Sequence, residues 1–252
     1  MIAVSEYLVE TILELQQLPS LLHSTLGGGT NLAIRYQHRK SYDIDLFFPN
    51  IIGKQGYETI KSEIIEWYGE NVFGIDYPCD IDDQFLFQRF FVKKAGLSVK
   101  VEILQNMQTH LEPEFIDRIK LMSLKDIGPL KLTSVANRAN NKDVYDLDYL
   151  TDEIPLKELM YLLGERESKY HLAEQQNIFD QDEERSPTKH PELLLKFEEL
   201  KKGSSSRPEH SNPRIDFMEG KKNWALARNS WRRKVRDYFR VIDMDFPVIR
   251  SI

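Results

Sequence analysis

Apolar residues recur along this chain with two rhythms, and the change from one to the other divides it. In residues 4–17, Leu8, Ile12 and Leu15 fall on one helical stripe, which Pro19 ends. Leu21–Leu26 is a short apolar run that predicts a strand leading into Gly27-Gly28-Gly29, and Thr30–Gln37 then predicts a helix. Tyr42–Phe48 reads as a strand stopped by Pro49 and Asn50. A helix is expected over Tyr57–Tyr68, with Ile60, Ile64, Ile65 and Trp67 as apolar contacts. Val72–Tyr77, Gln84–Lys93 and Ser98–Leu104 read as strands, the last two joined across Ala95-Gly96.

Strands dominate to about residue 105, and from Pro113 onward nearly every segment has a 3.6-residue rhythm. Helices are expected over Ser123–Arg138, Asp143–Leu150 and Leu156–Arg166. In the first of these Ser123 or Asp126 can cap, and Pro129 falls in the first turn if Asp126 is the cap. The stretch 180–215, rich in Glu, Ser, Pro, Lys and His, reads as a mobile connector around one short helix, Pro191–Lys202. Trp224, Trp231, Val235, Tyr238 and Ile242 mark one stripe of a final amphipathic helix. The fold class is α+β, with a mixed α/β unit over 1–120 and a helical unit over 121–252.

Composition narrows the function classes. Hydrophobic residues make up 41% of the chain and Cys79 is its one cysteine, so no intrachain disulfide forms and a reducing cytoplasm is the expected location. No apolar run reaches the length of a membrane span, and MIAVSEYLVETILEL lacks the basic start of a signal peptide. The net charge is −6, which excludes indiscriminate nucleic-acid binding over the whole surface. Charge is uneven, however. Gly220–Arg240 is strongly basic with Asp237 its one acid, whereas acids gather at Asp180–Glu184 and Glu192–Glu199. The basic helix is either the outer face of a bundle or a track for an RNA backbone.

Chemistry concentrates in Gly27–Phe48. Asp43 and Asp45 are two apart on a strand and share a face. Ile44, Leu46, Phe47 and Phe48 make that strand internal, and buried acids need a partner there. A divalent cation is the simplest one, and hard oxygen ligands without clustered thiols or imidazoles favour magnesium or manganese. A glycine turn opening a helix presents free backbone N–H groups to phosphate. No Gly-Lys-Ser/Thr follows, so the turn is not a P-loop. Arg39 and the Ser41 hydroxyl are further phosphate candidates, while His38 is equally read as a turn residue. Glu102 is the candidate third carboxylate, unless its strand face is solvated. Lys131 can neutralise polyphosphate charge if its helix packs over the sheet. A phosphate cradle beside an Asp-x-Asp metal site suggests nucleotidyl transfer.

Taken together, GGGTNLAIRYQHRKSYDIDLFF, SVKVEIL and SLKDIGPLKLTSVANRANNKDVYDLDYL resemble the AbiEii/AbiGii toxin family of nucleotidyltransferases, within the polymerase-beta-like superfamily. The resemblance covers roughly residues 20–150. It implies a minimal nucleotidyltransferase sheet with flanking helices and an appended helical bundle, the active site lying in the cleft between them. By position, Gly28 and Gly29 would hold the triphosphate with Ser41 assisting, and Asp43 and Asp45 would bind magnesium; Thr30 and Arg39 complete the expected nucleotide-binding set. Lys131 and Asp146 would occupy the second pair of active-site positions. Glu102 stands where many members have aspartate, which puts two-metal geometry in question. Known members are toxins of toxin–antitoxin or phage-defence pairs, and some transfer nucleotides to the tRNA 3′ end. The expected activity is therefore magnesium-dependent transfer of a nucleoside monophosphate from NTP to an acceptor, chiefly tRNA, with an antitoxin protein as partner. The alternatives are a module that binds nucleotide, RNA or a partner without chemistry, and transfer to a protein hydroxyl.

Overall fold

The computed structural model describes residues 2–79, 83–138, 140–180, 185–198 and 214–247. Helix α1 (Glu6–Leu15) buries Leu8, Ile12 and Leu15, the stripe expected of it. Pro19–Leu21 then forms a 3-10 turn, so only Thr25–Leu26 of the run Leu21–Leu26 is strand (β1). Proline at the first position both ends α1 and starts that turn, because its φ is fixed and its N–H is absent. Helix α2 (Gly28–Tyr36) begins two residues earlier than expected, the glycines carrying the chain straight from turn to helix.

Strand β2 (Asp43–Phe47), helix α3 (Gly53–Tyr68) and strands β3 (Val72–Asp76), β4 (Phe87–Lys94) and β5 (Leu97–Leu104) follow. Tyr57, Ile60 and Ile64 form the buried stripe of α3, whereas Ile65 and Trp67 fall off it and are 46% and 55% exposed. The β4–β5 hairpin turns on Ala95 and Gly96, both at positive φ, as a two-residue loop requires. The helical rhythm expected from Pro113 gives way to a second hairpin, β6 (Glu114–Ile116) and β7 (Ile119–Leu121). Its turn residues Asp117 and Arg118 also take positive φ, a geometry their identities do not announce.

The strands form one sheet in the order β3-β4-β5-β2-β1-β7-β6. The β2–β5 and β1–β7 pairs are parallel and the others antiparallel. Leu8, Ile12, Ile44, Phe90 and Val101 belong to a core that joins the first helices to one sheet face.

Among the described residues that follow, four α-helices form: α4 (Leu124–Arg138), α5 (Asn141–Glu153), α6 (Leu156–Lys169) and α7 (Trp224–Val241). Ser123 is the cap of α4, its Oγ accepting the Asp126 N–H at 3.1 Å and donating to the Asp126 carboxylate at 2.8 Å. Pro129 therefore lies inside α4 rather than in its first turn, and the Lys125 carbonyl loses its helical donor on an exposed part of the helix. Pro191–Glu198 is 3-10 rather than α-helical. Residues 181–184 and 199–213, and with them most of the expected connector and the end of Pro191–Lys202, lie outside the described residues. A second core joins these helices through Leu132, Val135, Leu147, Leu159 and Trp231, with Leu32 and Phe47 reaching in from α2 and β2. A cleft opens where this bundle meets the other sheet face.

Trp231 is fully buried and its indole N–H donates to the Leu194 carbonyl at 2.9 Å. Trp231→Ala is expected to cost about 3–5 kcal/mol in chemical denaturation, through cavity and lost hydrogen bond together. Trp67→Ala, on the exposed side of α3, should stay within about 0.5 kcal/mol of the parent.

Candidate active site

The floor of the cleft is a block of charge set by strand register. Parallel pairing of β2 with β5 puts Asp43 opposite Lys100 and Asp45 opposite Glu102, and antiparallel pairing of β4 with β5 adds Arg89 beside Glu102. Because register partners share a sheet face, all five side chains meet on the cleft side. Asp43 is half exposed and Glu102 is nearly covered. Burial raises the Asp45 carboxyl to about 7, helped by Glu102 and Asp43 and opposed by Lys100. Glu102 behaves oppositely. Against its burial, Lys100 and Arg89 hold it below the usual carboxylate range. Its Oε1 accepts from Arg89 Nε at 2.8 Å and its Oε2 from Lys100 Nζ at 3.3 Å.

This arrangement fits a divalent cation at Asp43 and Asp45, since two hard oxygen donors with a raised carboxyl pKa await a positive charge. It does not display a three-carboxylate cage. Among the described residues no three His, Cys, Asp or Glu side chains converge on one point. Glu102 lies beside Asp45, but Arg89 and Lys100 already use its oxygens.

The glycine turn sits directly over this floor. Gly28 takes φ +59°, and a Cβ placed there would come within 1.8 Å of Asp45 Oδ2. At Gly29 a Cβ would meet Arg39 Nη2 at 2.2 Å. Only glycine leaves this space open, and the first amides of α2, which have no helical acceptor, stand beside the carboxylates. The Gly27 N–H is taken by the Asp45 carbonyl at 2.8 Å, which fixes the turn on β2. Thr30 and Ser41 bond to each other through their hydroxyls at 2.8 Å, and Thr30 also reaches the Asp43 carbonyl. Both line the cleft, and their hydroxyls tie α2 to β2.

Asp146 has a different place. It is fully buried and is absent from the cleft lining. Its carboxylate accepts from Arg39 Nε at 2.6 Å, Arg39 Nη2 at 2.8 Å and His38 Nε2 at 2.8 Å, with Lys131 Nζ at 3.0 Å. Burial would raise its pKa, but Arg39 and Lys131 hold it well below the usual range. These bonds hold Arg39 and Lys131 in place behind the cleft wall. Lys131 also bonds Asp143 at 2.6 Å, and against burial the two acids keep its ammonium charged. His38 is neither a loose turn residue nor a phosphate ligand. It is buried, stacked on Tyr145 with centroids 5.3 Å apart, and burial lowers its pKa despite Asp146.

The cleft encloses about 500 Å³ and joins Gly28, Gly29, Thr30, Arg39, Ser41, Asp43, Asp45, Glu102 and Lys131, whereas Asp146 and His38 lie behind its wall. It also contains Lys142, which had no assigned role, next to Asp143 on α5. Burial and then Arg39 lower the Lys142 pKa. The basic C-terminal segment is largely neutralised by neighbouring elements: Arg228 and Arg232 of α7 bond Glu198, and Lys234 of α7 together with Lys222 just before it bonds Asp148 and Asp152 of α5. Arg233 and Arg236 remain exposed. Their helix is chiefly a packing element, which weakens its reading as an RNA track.

Comparison with known proteins gives the family and the fold. The family described as "Nucleotidyl transferase AbiEii toxin, Type IV TA system" matches residues 12–241. An uncharacterised protein of Aquifex aeolicus is 29% identical over 126 residues, 50% of this chain and 56% of that protein, so the chain spans about half the length of this relative. The solved structure of MenT4, a nucleotidyltransferase toxin from Mycobacterium tuberculosis H37Rv, aligns over 94% of this chain and 83% of its own with a TM-score of 0.54. Identity there is 16%, so that likeness is one of fold.

The Asp45 environment has a stability signature. Its carboxyl titrates near 3.8 when unfolded and near 7 when folded, so the folded state holds the extra proton between these values. The stability this confers is complete below pH 4 and is lost as pH rises towards 7. Without divalent cations, Asp45→Asn is expected to melt above the parent at pH 8, with the margin narrowing towards pH 5. Equal margins at both pH values, measured by thermal unfolding in EDTA, would contradict the assignment.

Proposed function

Because this chain belongs to the AbiEii nucleotidyltransferase toxin family, we propose that it transfers a nucleoside monophosphate from NTP to the 3′ end of tRNA in a magnesium-dependent reaction. On this reading it acts as the toxin of a type IV toxin–antitoxin pair, in phage defence among other settings, with a cognate antitoxin protein as partner. The cytoplasm, which supplies both NTP and tRNA, is its place of action; among the described residues no helix is long and apolar enough to cross a membrane.

One observation supports the reading: the Asp45 carboxylate lies immediately under the Gly28 turn, so a cation at Asp45 and a polyphosphate at the turn would share one wall. The amides of Gly28, Gly29 and Thr30 receive the β- and γ-phosphates. Lys131, kept charged by Asp143 and Asp146, neutralises the leaving pyrophosphate, and Arg39 adds a fixed positive charge behind Gly29. A magnesium or manganese ion held by Asp43 and Asp45 supplies, when bound, charge neutralisation at the α-phosphate and a more acidic attacking hydroxyl. The acceptor 3′ oxygen attacks the α-phosphorus, and the bond to the bridging oxygen of pyrophosphate breaks. The hydroxyl proton passes to solvent at the exposed Asp43 edge of the floor. Glu102, already bonded to Arg89 and Lys100, holds these cations in place beside Asp45.

The test offers each labelled NTP in turn, with magnesium and total RNA. Label is expected in the tRNA band, to vanish with EDTA and with Asp45→Ala, and to fall about 10²–10³-fold with Lys131→Met. Incorporation that survives Asp45→Ala would refute the site assignment. Acid-stable label on protein would replace tRNA as acceptor. The occupied state of Glu102 favours one rival reading, a module that binds NTP without transfer; nucleotide binding with no labelled product would establish it.

A further inference from the structure

The open face of the sheet continues beyond the cleft, and its residues form rows. Register places Phe73, Phe91, Lys100 and Asp43 in one line across β3, β4, β5 and β2. The next line holds Asp76, Arg89, Glu102 and Asp45. Along β4 itself the cleft-side residues read Phe87, Arg89, Phe91, Lys93, aromatic and basic in alternation, while Gln88, Phe90 and Val92 are buried on the other face. Phe73 and Phe91 stack with centroids 5.5 Å apart and planes 18° apart. Phe73 is 45% exposed, and Phe91 lines the cleft. Gly74 adjoins them at φ +61°, where the β3–β4 register shifts, and a Cβ there would press on the Phe91 ring at 3.1 Å. The absent side chain keeps that ring uncovered.

Direction follows from the reaction. Pyrophosphate departs towards Gly28 and Gly29, on the α2 side of the Asp pair, and in-line displacement brings the attacking oxygen from the opposite side. That side is β5, β4 and then β3. We infer that the β3–β4 face is the platform for the acceptor: unpaired bases at an RNA 3′ end stack on Phe73 and Phe91, with Lys100 and Lys93 beside the backbone, and deliver the terminal hydroxyl to Asp43. This inference rests on the nucleotidyl-transfer reading and adds to it the surface that receives the unpaired 3′ terminus. Three strand spacings separate Phe73 from Asp43, about 14 Å, or about four stacked base steps of 3.4 Å. Aromatic stacking suits this task because every base has a π-face, so the platform accepts a terminus without reading its sequence.

The experiment uses hairpin RNAs with a blunt end or a four-nucleotide 3′ overhang. Binding is read by fluorescence anisotropy without NTP, and KM for RNA and for NTP by transfer. The overhang should bind well and the blunt end poorly. Phe73→Ala should weaken overhang binding and raise its KM by about five- to a hundredfold, with Phe73→Trp restoring both and KM for NTP staying at the parent value. Unchanged RNA binding in Phe73→Ala, equal binding of blunt and overhang RNA, or an effect on NTP in place of RNA would each overturn the platform. Phe73-dependent RNA binding by a protein that labels no RNA would keep the platform and refute the transfer reaction.

Discussion

A single buried carboxylate holds the two sides of this molecule in register. Asp146, on α5, gathers Arg39 and His38 from the segment before β2 and Lys131 from α4. Removing it would leave two buried cations facing only Asp143, a loss of several kcal/mol by the usual behaviour of broken buried pairs. The clamp has a chemical consequence as well as a mechanical one. It holds Arg39 against Gly29 and Lys131 at the cleft wall, so both positive charges are fixed in place by the fold itself.

The clamp leaves the acidic side of the cleft under-neutralised, and the contrast is informative. Arg39 and Lys131 are satisfied by Asp143 and Asp146, and Glu102 by Arg89 and Lys100. For Asp45, burial and the neighbouring Glu102 and Asp43 outweigh Lys100, which is why its carboxyl rises while Glu102 falls. The fold thus concentrates its unmet charge at one carboxylate directly below the glycine turn.

Much of this was legible in the sequence where a local rule applied. Periodicity located α1, α3 and the four late helices, alternation located β2 and the β4–β5 hairpin, and the spacing of Asp43 and Asp45 put both on one face. Local rules failed where the deciding partner was far away in sequence. Asp146 pairs with residues 107 and 108 positions upstream, and nothing near it distinguishes a buried clamp from a group facing the nucleotide. Glu102 was legible as an acid on the Asp45 side of β5, but its pairing with Arg89 depends on the β4–β5 register. The β6–β7 hairpin was hidden because Asp117 and Arg118 make a turn normally written with Asn or Gly. Ile65 and Trp67 passed for core because apolar character alone does not show which side of a helix is covered.

The central claim is that one wall binds cation and polyphosphate together. The most direct measurement is calorimetric titration of an α,β-non-hydrolysable NTP into the parent and into a variant with both Asp43→Asn and Asp45→Asn, with and without magnesium. Binding to the parent that strengthens at least tenfold with magnesium, and a variant indifferent to the ion, is the expected result. Equal magnesium dependence in both proteins, or none in either, would contradict it.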